Sequence, residues 1–325
     1  MAVDQNAVWL DQNAGDTTHT CRQRDVLACP KLTRCRRFLY RGVMSLPNLQ
    51  ALKSRVIALL KHLTGLTPSG QLYELELAKA WGLFPDRSTN PLTMKPRKYF
   101  SQSDEDGITL EILRRLQINN GQFVEFGVGN GLENNTLVLL AHGWSGGWIG
   151  GEQLVVKLPT GGRLKYWRRW VDRKSIQELL SETEFKQLAL GAHVVSLDLD
   201  GNDAYFIADL LEAGVRPALW IQEYNATIPV DVSWTIDYNA THSWEKDNYF
   251  GASLKHLATI FQQHEYTPVA CSATGANAFF VRNDLMHLFQ DCPTALPEIY
   301  VPPLYFLQNR WGQKVSPKFV ESLLK

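Results

Sequence analysis

Apolar runs and amphipathic stretches alternate along most of the chain. From about residue 107 onward, short apolar runs bounded by glycine, asparagine or aspartate are followed by stretches whose apolar positions recur with a helical period. Runs that are apolar at every position are typical of strands buried on both faces of a parallel sheet. The pattern therefore predicts a three-layer α/β domain in which helices cover both faces of a mostly parallel sheet.

The predicted elements follow one another in a regular order. The last two strands are separated by a short polar segment, which predicts that they form an antiparallel pair. The predicted strands are 123–126, 148–151, 165–171, 194–199, 218–223, 266–272 and 278–281. The predicted helices of this part are 107–116, 175–180, 205–213 and 252–264, and a further helix lies between the first two strands and ends at Gly143.

The first hundred residues differ from the rest. Residues 1–43 show no sustained apolar period and are predicted to form a poorly ordered extension; we hypothesise that Met44 is the true start. Residues 44–98 are predicted to be a helical segment, with helices at 49–63 and 71–81, that packs on the main domain at 99–325. For this helical segment, packing on the main domain is favoured over a role as a lid or a dimer contact. A homo-oligomer remains an alternative.

Composition and charge exclude several classes of protein. Thirty-three basic and thirty-three acidic residues cancel, which gives the chain no overall electrostatic footprint for nucleic acid. No run of 18 apolar residues is present, so no membrane span is predicted. The start of the sequence lacks the basic and apolar regions of a secretory signal, and we expect a cytoplasmic protein.

A glycine-rich turn follows the first strand, with glycines at Gly127, Gly129 and Gly131. Such glycines let the backbone turn tightly and approach a ligand closely. A dinucleotide fingerprint needs a third glycine at the sixth position, where this sequence has Leu132 or Asn134. No Gly-Lys-Ser/Thr ending is present, and no basic residue is available in the turn for a pyrophosphate.

Acidic residues flank this turn. Glu125 lies near the end of the first strand, where its charge suits a cationic ligand such as a sulfonium with an α-amino group. Glu152 follows the second strand, where a carboxylate can accept hydrogen bonds from ribose hydroxyls. The turn and its acids therefore favour an adenosine-containing cofactor, most readily S-adenosylmethionine.

Four segments together resemble the successive motifs of class I S-adenosylmethionine-dependent methyltransferases, and more closely those of FkbM-type bacterial proteins: EFGVGNG, WIGGE, SLDLDGND and IQEYN. The resemblance covers about residues 99–325. It implies a Rossmann-like methyltransferase fold with a mostly parallel seven-stranded sheet and an antiparallel C-terminal hairpin. It also implies O-methylation of a small polar or sugar-like acceptor. The cofactor-binding residues implied by the match are Glu125, Gly127, Gly129, Gly131, Glu152 and Asp198.

Candidate catalytic residues lie at the ends of the fourth and fifth strands and in the long loop 224–250. Hard oxygen ligands suit Mg²⁺, and Asp200, Glu223 and Asn225 are the hypothetical ligand set. Alternatively, Asp200 or the loop residue His242 serves as a general base without metal. A third interpretation treats the segment from Asp200 to Asp203 as a turn and helix cap. Likewise, Asp104 and Glu105 are interpreted as helix-capping acids.

Two further functions are compatible with the sequence. One is another metal-dependent, glycan-modifying reaction at the same acids, and the other is a non-catalytic nucleoside-binding or scaffold protein. In each enzymatic interpretation the partner is a small molecule or a glycan.

Overall fold

The computed structural model describes residues 89–305 and 317–324. These residues form an α/β structure built on a seven-stranded sheet with the strand order β3-β2-β1-β4-β5-β7-β6. The strands are β1 (Gln122–Phe126), β2 (Ser145–Gly150), β3 (Leu164–Arg168), β4 (Val194–Leu197), β5 (Leu219–Glu223), β6 (Tyr266–Cys271) and β7 (Asn277–Arg282).

Six strands run in one direction and one runs against them. The five neighbouring strands β3, β2, β1, β4 and β5 pair in parallel. The seventh strand, β7, is inserted between β5 and β6 and is antiparallel to both. The predicted antiparallel pair at the end of the domain is therefore confirmed, and the sheet is mostly parallel as predicted.

Helices cover both faces of the sheet. One face packs against α3 to α7 and the other against α1, α2 and α8, which gives two separate clusters of buried apolar side chains. The helices are α1 (Glu105–Leu116), α2 (Leu137–Ala141), α3 (Arg173–Ser181), α4 (Thr183–Gly191), α5 (Asp203–Glu212), α6 (Leu254–Gln263), α7 (Leu296–Ile299) and α8 (Pro317–Leu323), with a 3-10 helix at Asn283–Leu288.

Helix α6 illustrates how local sequence determines these elements. Ser253 caps its first turn, because the Ser253 side chain accepts a hydrogen bond from the His256 backbone N–H. Leu254, Leu257 and Phe261 recur with a helical period and are all buried against the sheet. Burial of each large apolar side chain stabilises the fold by about 1.5–3 kcal/mol.

The structure differs from the sequence-based expectations at several elements. Helix α4 was not predicted, because its buried side is narrow and carries only Phe185 and Ala189. Strand β3 ends at Arg168, three residues before its predicted end. The helices predicted at 49–63 and 71–81 and the extension 1–43 lie outside the described residues.

Within 89–305 and 317–324, no helix combines the length and the apolar character that a membrane crossing requires.

Candidate functional site

The chain leaves β1 and β4 toward opposite faces of the sheet. After β1 it enters α2, whose apolar residues share a cluster with Phe123. After β4 it enters α5, whose apolar residues share the other cluster with Val195. Neighbouring parallel strands whose helices lie on opposite faces leave a crevice at their carboxyl ends, where ligands of open α/β sheets bind. The candidate site lies at this crevice.

The glycine turn forms one wall of the crevice. Gly127, Gly129 and Gly131 have φ angles of +87°, +49° and +87°, a region that favours glycine. A Cβ on Gly127 would lie 1.6 Å from the Asp198 carbonyl oxygen, so only glycine permits this close passage beside β4. A Cβ on Gly129 would meet no heavy atom within 4 Å in the part of the chain that is described. The turn is therefore tight against β4 at Gly127 and open at Gly129.

Glu125 is buried behind the turn. Its carboxylate accepts hydrogen bonds from the Asn135 N–H (2.8 Å), the Thr136 N–H (3.0 Å) and the Thr136 hydroxyl. Burial raises the pKa of Glu125 to about 7, and the hydrogen bonds from Thr136 and Asn135 act against that rise. These contacts join the end of β1 to the residues just before α2. Glu125 therefore positions the turn, and its direct contact with a cofactor stays a prediction.

Glu152 is exposed just beyond the end of β2. Its backbone carbonyl accepts a hydrogen bond from the Tyr166 hydroxyl, which also donates to the Gly150 carbonyl at 2.8 Å. Three residues later, the Val155 N–H donates to the Asn130 carbonyl in the glycine turn at 3.1 Å. The segment that carries Glu152 is thus fixed beside the turn, as the predicted ribose contact requires.

Three carboxylates meet on the other side of the crevice. Oxygens of Asp198, Asp200 and Glu223 all lie within 4.8 Å of one another. Burial raises the pKa of Asp198 and of Glu223 well above the usual range, and the neighbouring acids raise both further. Asp200 has a φ of +52°, which directs the chain sharply after β4. A bound cation or a shared proton would relieve the repulsion within this acid cluster, defined as Asp198, Asp200 and Glu223.

The residues after Asp200 hold the loop in shape. Asp203 accepts hydrogen bonds from the Leu199 N–H (3.0 Å) and the Gly201 N–H (2.9 Å). Asn202 and Asn239 exchange two hydrogen bonds, of 2.7 and 3.0 Å, which tie this turn to the long loop. The turn interpretation is thus correct for Asp203, whereas the N-cap Asn202 makes no side-chain capping hydrogen bond.

His242 is brought to this turn by the long loop. A Cβ on Gly201 would lie 2.6 Å from His242 Cδ2, so the imidazole packs directly on Gly201. The pKa of Asp200 is raised mainly by burial, and His242 acts in the opposite direction. The Nε2 atom of His242 is buried and has no hydrogen-bond partner among the described residues. The two predicted catalytic residues, Asp200 and His242, therefore lie side by side.

Asn225 does not join the acid cluster, which corrects its assignment as a metal ligand. The side chain is fully buried. Its Nδ2 donates to the Asn248 and Phe250 carbonyls, both at 2.9 Å, and its Oδ1 accepts from the Thr227 N–H and hydroxyl. Because both amide atoms hold the long loop in place, neither is available to a cation.

The acids at the start of α1 have a role beyond helix capping. Asp104 makes no capping hydrogen bond and instead accepts from the Ala273 N–H at 2.7 Å, so the capping interpretation is wrong for this residue. Glu105 is fully buried and accepts hydrogen bonds from the Ser103 hydroxyl (2.7 Å) and from Asn277 Nδ2 (3.1 Å). The charge of Glu105 is also one of the causes that raise the pKa of Asp198. The signal in the sequence was the run of three acids, more than one helix start needs.

A cavity of about 540 Å³ lies elsewhere, at the amino-terminal ends of β1 and β2. Gln122, Ser145, Arg163 and Glu184 are among its lining residues. Because ligands of open α/β sheets bind at the opposite, carboxyl ends of the strands, this cavity does not mark the site.

Comparisons with known proteins give no further identification. No protein-family model matches the chain, and no curated protein matches it at a significant level. Function is therefore inferred from the chemistry of the site itself.

Proposed function

We propose that this protein is an S-adenosylmethionine-dependent methyltransferase that acts on a hydroxyl of a small polar or sugar-like acceptor. The observation that carries the proposal is the glycine turn at the crevice between β1 and β4, open at Gly129 and bordered by the segment of Glu152. The order β3-β2-β1-β4-β5 is also that of the first five strands of a dinucleotide-binding sheet, which supports a Rossmann-like fold.

The residues around the turn fit an adenosine-containing cationic ligand. The open side of Gly129 would admit a ligand against the backbone, and Glu152 would accept the ribose hydroxyls. The turn has no lysine or arginine for a pyrophosphate, and the acid cluster across the crevice favours positive charge. Bound S-adenosylmethionine supplies a methyl group made electrophilic by its sulfonium.

Two roles fit the acid cluster and its neighbour His242. In the first, Asp200 or His242 accepts the proton of the acceptor hydroxyl as a general base. In the second, the carboxylate oxygens of Asp198, Asp200 and Glu223 hold Mg²⁺, for which they are suitable hard ligands. Mg²⁺ would lower the pKa of a hydroxyl bound to it.

Cofactor binding is the first test. Calorimetric titration is expected to show micromolar binding of S-adenosylmethionine and of S-adenosylhomocysteine. NAD and ATP are the control ligands and are expected not to bind, because the turn offers nothing to their phosphates. A folded protein that binds neither S-adenosyl compound would refute the proposal.

Methyl transfer is the second test and separates an enzyme from a nucleoside-binding scaffold. With methyl-labelled S-adenosylmethionine and a panel of sugars and glycosides, Asp200→Asn is expected to lower the rate about 100-fold, the usual contribution of a general base. Cofactor affinity should change far less than the rate, because Asp198 and Glu223 keep the negative charge of the cluster. Glu184→Gln, an exposed acid paired with Lys165, is the control and should keep full activity.

A chelator distinguishes the two roles of the acids. Loss of the labelled product on chelation, with recovery on added Mg²⁺, would favour the metal-assisted reaction. A rate that is insensitive to chelator would favour Asp200 or His242 as a general base. If cofactor binding is retained but no panel member is methylated, the scaffold interpretation gains support.

A further inference from the structure

We propose that Asn277 is a cation ligand at this site: its Oδ1, together with the carboxylates of Glu223 and Asp198, binds a divalent cation such as Mg²⁺, and Glu105 positions it. This inference deepens the metal-assisted form of the proposed function. Its test measures the cation directly and does not depend on the methyl donor.

Asn277 and Glu223 share one side of the sheet. They are directly opposite each other in the antiparallel pairing of β5 and β7. Side chains at such positions project from the same face, with Cβ atoms about 4.5–5.5 Å apart. Ile221 and Phe279, two residues before and after them, belong to the cluster covered by α1, so this face is the α1 face.

Both side chains carry an oxygen that lacks a donor. Asn277 is only 2% exposed, and its Oδ1 is buried with no hydrogen-bond partner among the described residues. The Oε2 atom of Glu223 is likewise buried and unpartnered in that part of the chain. Buried polar atoms are almost always satisfied in native proteins, so two unsatisfied acceptors side by side indicate a ligand that they both bind.

Glu105 determines which amide atom Asn277 presents. A carboxylate only accepts hydrogen bonds, so the contact of 3.1 Å between Glu105 Oε1 and Asn277 requires the Nδ2 end of the amide. The Oδ1 end is thereby directed away from Glu105. The Ser103 hydroxyl and N–H hold the Glu105 carboxylate itself, at 2.7 and 3.0 Å. Glu105 is therefore a positioning residue for Asn277.

The charge of this region favours a positive ligand. Among the residues that the structure describes, the ion pairs involve none of Glu105, Asp198 and Glu223. Glu105 is fully buried, and Asp198 and Glu223 are half-buried. Carboxylates withdrawn from water in proteins are paired or bind metal ions. An amide oxygen and two carboxylates are oxygen donors of the kind that Mg²⁺ and Ca²⁺ take. A neutral hydrogen-bond donor would satisfy Asn277 but would leave the carboxylates uncompensated.

Two substitutions of Asn277 test the inference because they change affinity in opposite directions. Mg²⁺ affinity is measured by calorimetry and Mn²⁺ affinity by electron paramagnetic resonance on the full chain. Asn277→Leu removes the ligand oxygen and is expected to weaken binding at least about tenfold, and Glu105→Leu, which removes the acceptor that orients the amide, about tenfold as well. The double variant Glu105→Gln/Asn277→Asp exchanges amide and carboxylate, so the hydrogen bond between the two positions is kept with its direction reversed. A charged oxygen then faces the cation, and binding is expected to tighten.

The matched control is Asn134→Leu. Asn134 has the same exposure as Asn277, 2%, and is also a buried amide whose Oδ1 has no partner within the described residues. Its Nδ2 donates to the Val128 carbonyl in the glycine turn, across the crevice from the acid cluster. Its replacement should leave cation affinity within about twofold of wild type, since sites without shared partners behave independently.

Several results would overturn the inference. They are a wild-type protein that binds neither Mg²⁺ nor Mn²⁺, an Asn277→Leu variant that binds like wild type, or a folded Glu105→Gln/Asn277→Asp variant that binds more weakly than wild type. If Asn277→Leu does not fold, the result of the double variant decides. S-adenosylmethionine titration of the same preparation distinguishes this failure from failure of the proposed function, because an intact cofactor response would leave only the cation site refuted.

Discussion

Replacing Gly129 with leucine is expected to abolish S-adenosylmethionine binding while the protein stays folded. The added side chain would extend from the turn into space where a Cβ meets no heavy atom of the described residues within 4 Å. It would therefore occupy the place proposed for the cofactor without displacing the protein's own atoms. We expect an affinity loss of at least about 100-fold, or about 2.7 kcal/mol, measured by calorimetry.

Gly161→Leu is the matched control for this substitution. Gly161, in the turn before β3, also has a positive φ, +73°, and a Cβ there likewise meets no heavy atom within 4 Å among the residues described. Both variants should lose about 1–2 kcal/mol of stability from the left-handed backbone conformation, seen as similar decreases in thermal midpoint. Only the variant at Gly129 should lose cofactor binding. If it binds S-adenosylmethionine like wild type, the cofactor does not lie at this turn.

The sheet could be predicted from sequence because its strands are buried on both faces. The runs of β1 and β4, at 123–126 and 194–197, are apolar apart from Glu125 and Ser196 and are followed by glycine or acidic residues. Such runs are too short to cross a membrane and are typical of strands inside a parallel sheet. The antiparallel pair of β6 and β7 followed from the short polar segment between them. Helix α4 was not predicted because the periodic spacing of apolar residues indicates a helix only where one face is buried. A helix that buries only two side chains has a weak periodic pattern.

The acid cluster could also be anticipated, because parallel strands end at a common edge. Asp200 and Glu223 follow neighbouring strands, and the structure brings their carboxylates together with that of Asp198. The hydrogen bonds of Asn225 could not be anticipated in this way. Its amide donates to backbone carbonyls of the long loop, and the path of that loop does not follow from a local sequence pattern.

The contact between Glu105 and Asn277 could not be predicted from sequence, for a related reason. Their contact joins residues that are 172 positions apart, and it depends on the register of β7 beside β5. A shift of one residue would turn Asn277 to the other face of the sheet. Nothing in the local pattern of either segment specifies that register.

Lowering the pH from 8 to about 5 is expected to stabilise the fold, because buried acids have raised pKa values. Burial raises the pKa of Glu125 to about 7 and those of Asp104 and Asp106 to about 6. Between its unfolded pKa and its folded pKa, each group binds more protons when folded, so stability falls as pH rises through that window and is constant above it. Burial lowers the pKa of His256 and of His264, which acts in the opposite direction over this window, and the buried acids outnumber them. Surface acids with lowered pKa values, such as Glu111, lose their contribution only at more acidic pH.

Glu125 should account for a large part of this effect. A rise from 4.5 to about 7 corresponds to roughly 3 kcal/mol of unfolding free energy, lost as pH increases between those values. Glu125→Gln removes the titrating group, so the difference in unfolding free energy between pH 5 and pH 8 should shrink by about that amount. Urea denaturation followed by circular dichroism at both pH values measures this difference.

The control is the exposed-acid variant Glu184→Gln, which should keep the wild-type difference in unfolding free energy. An unchanged difference in Glu125→Gln would show that Glu125 is already ionised in the folded protein at pH 5. In that case the hydrogen bonds from Asn135 and Thr136, and not burial, would dominate its protonation, and the anion itself would hold the start of α2 beside the glycine turn.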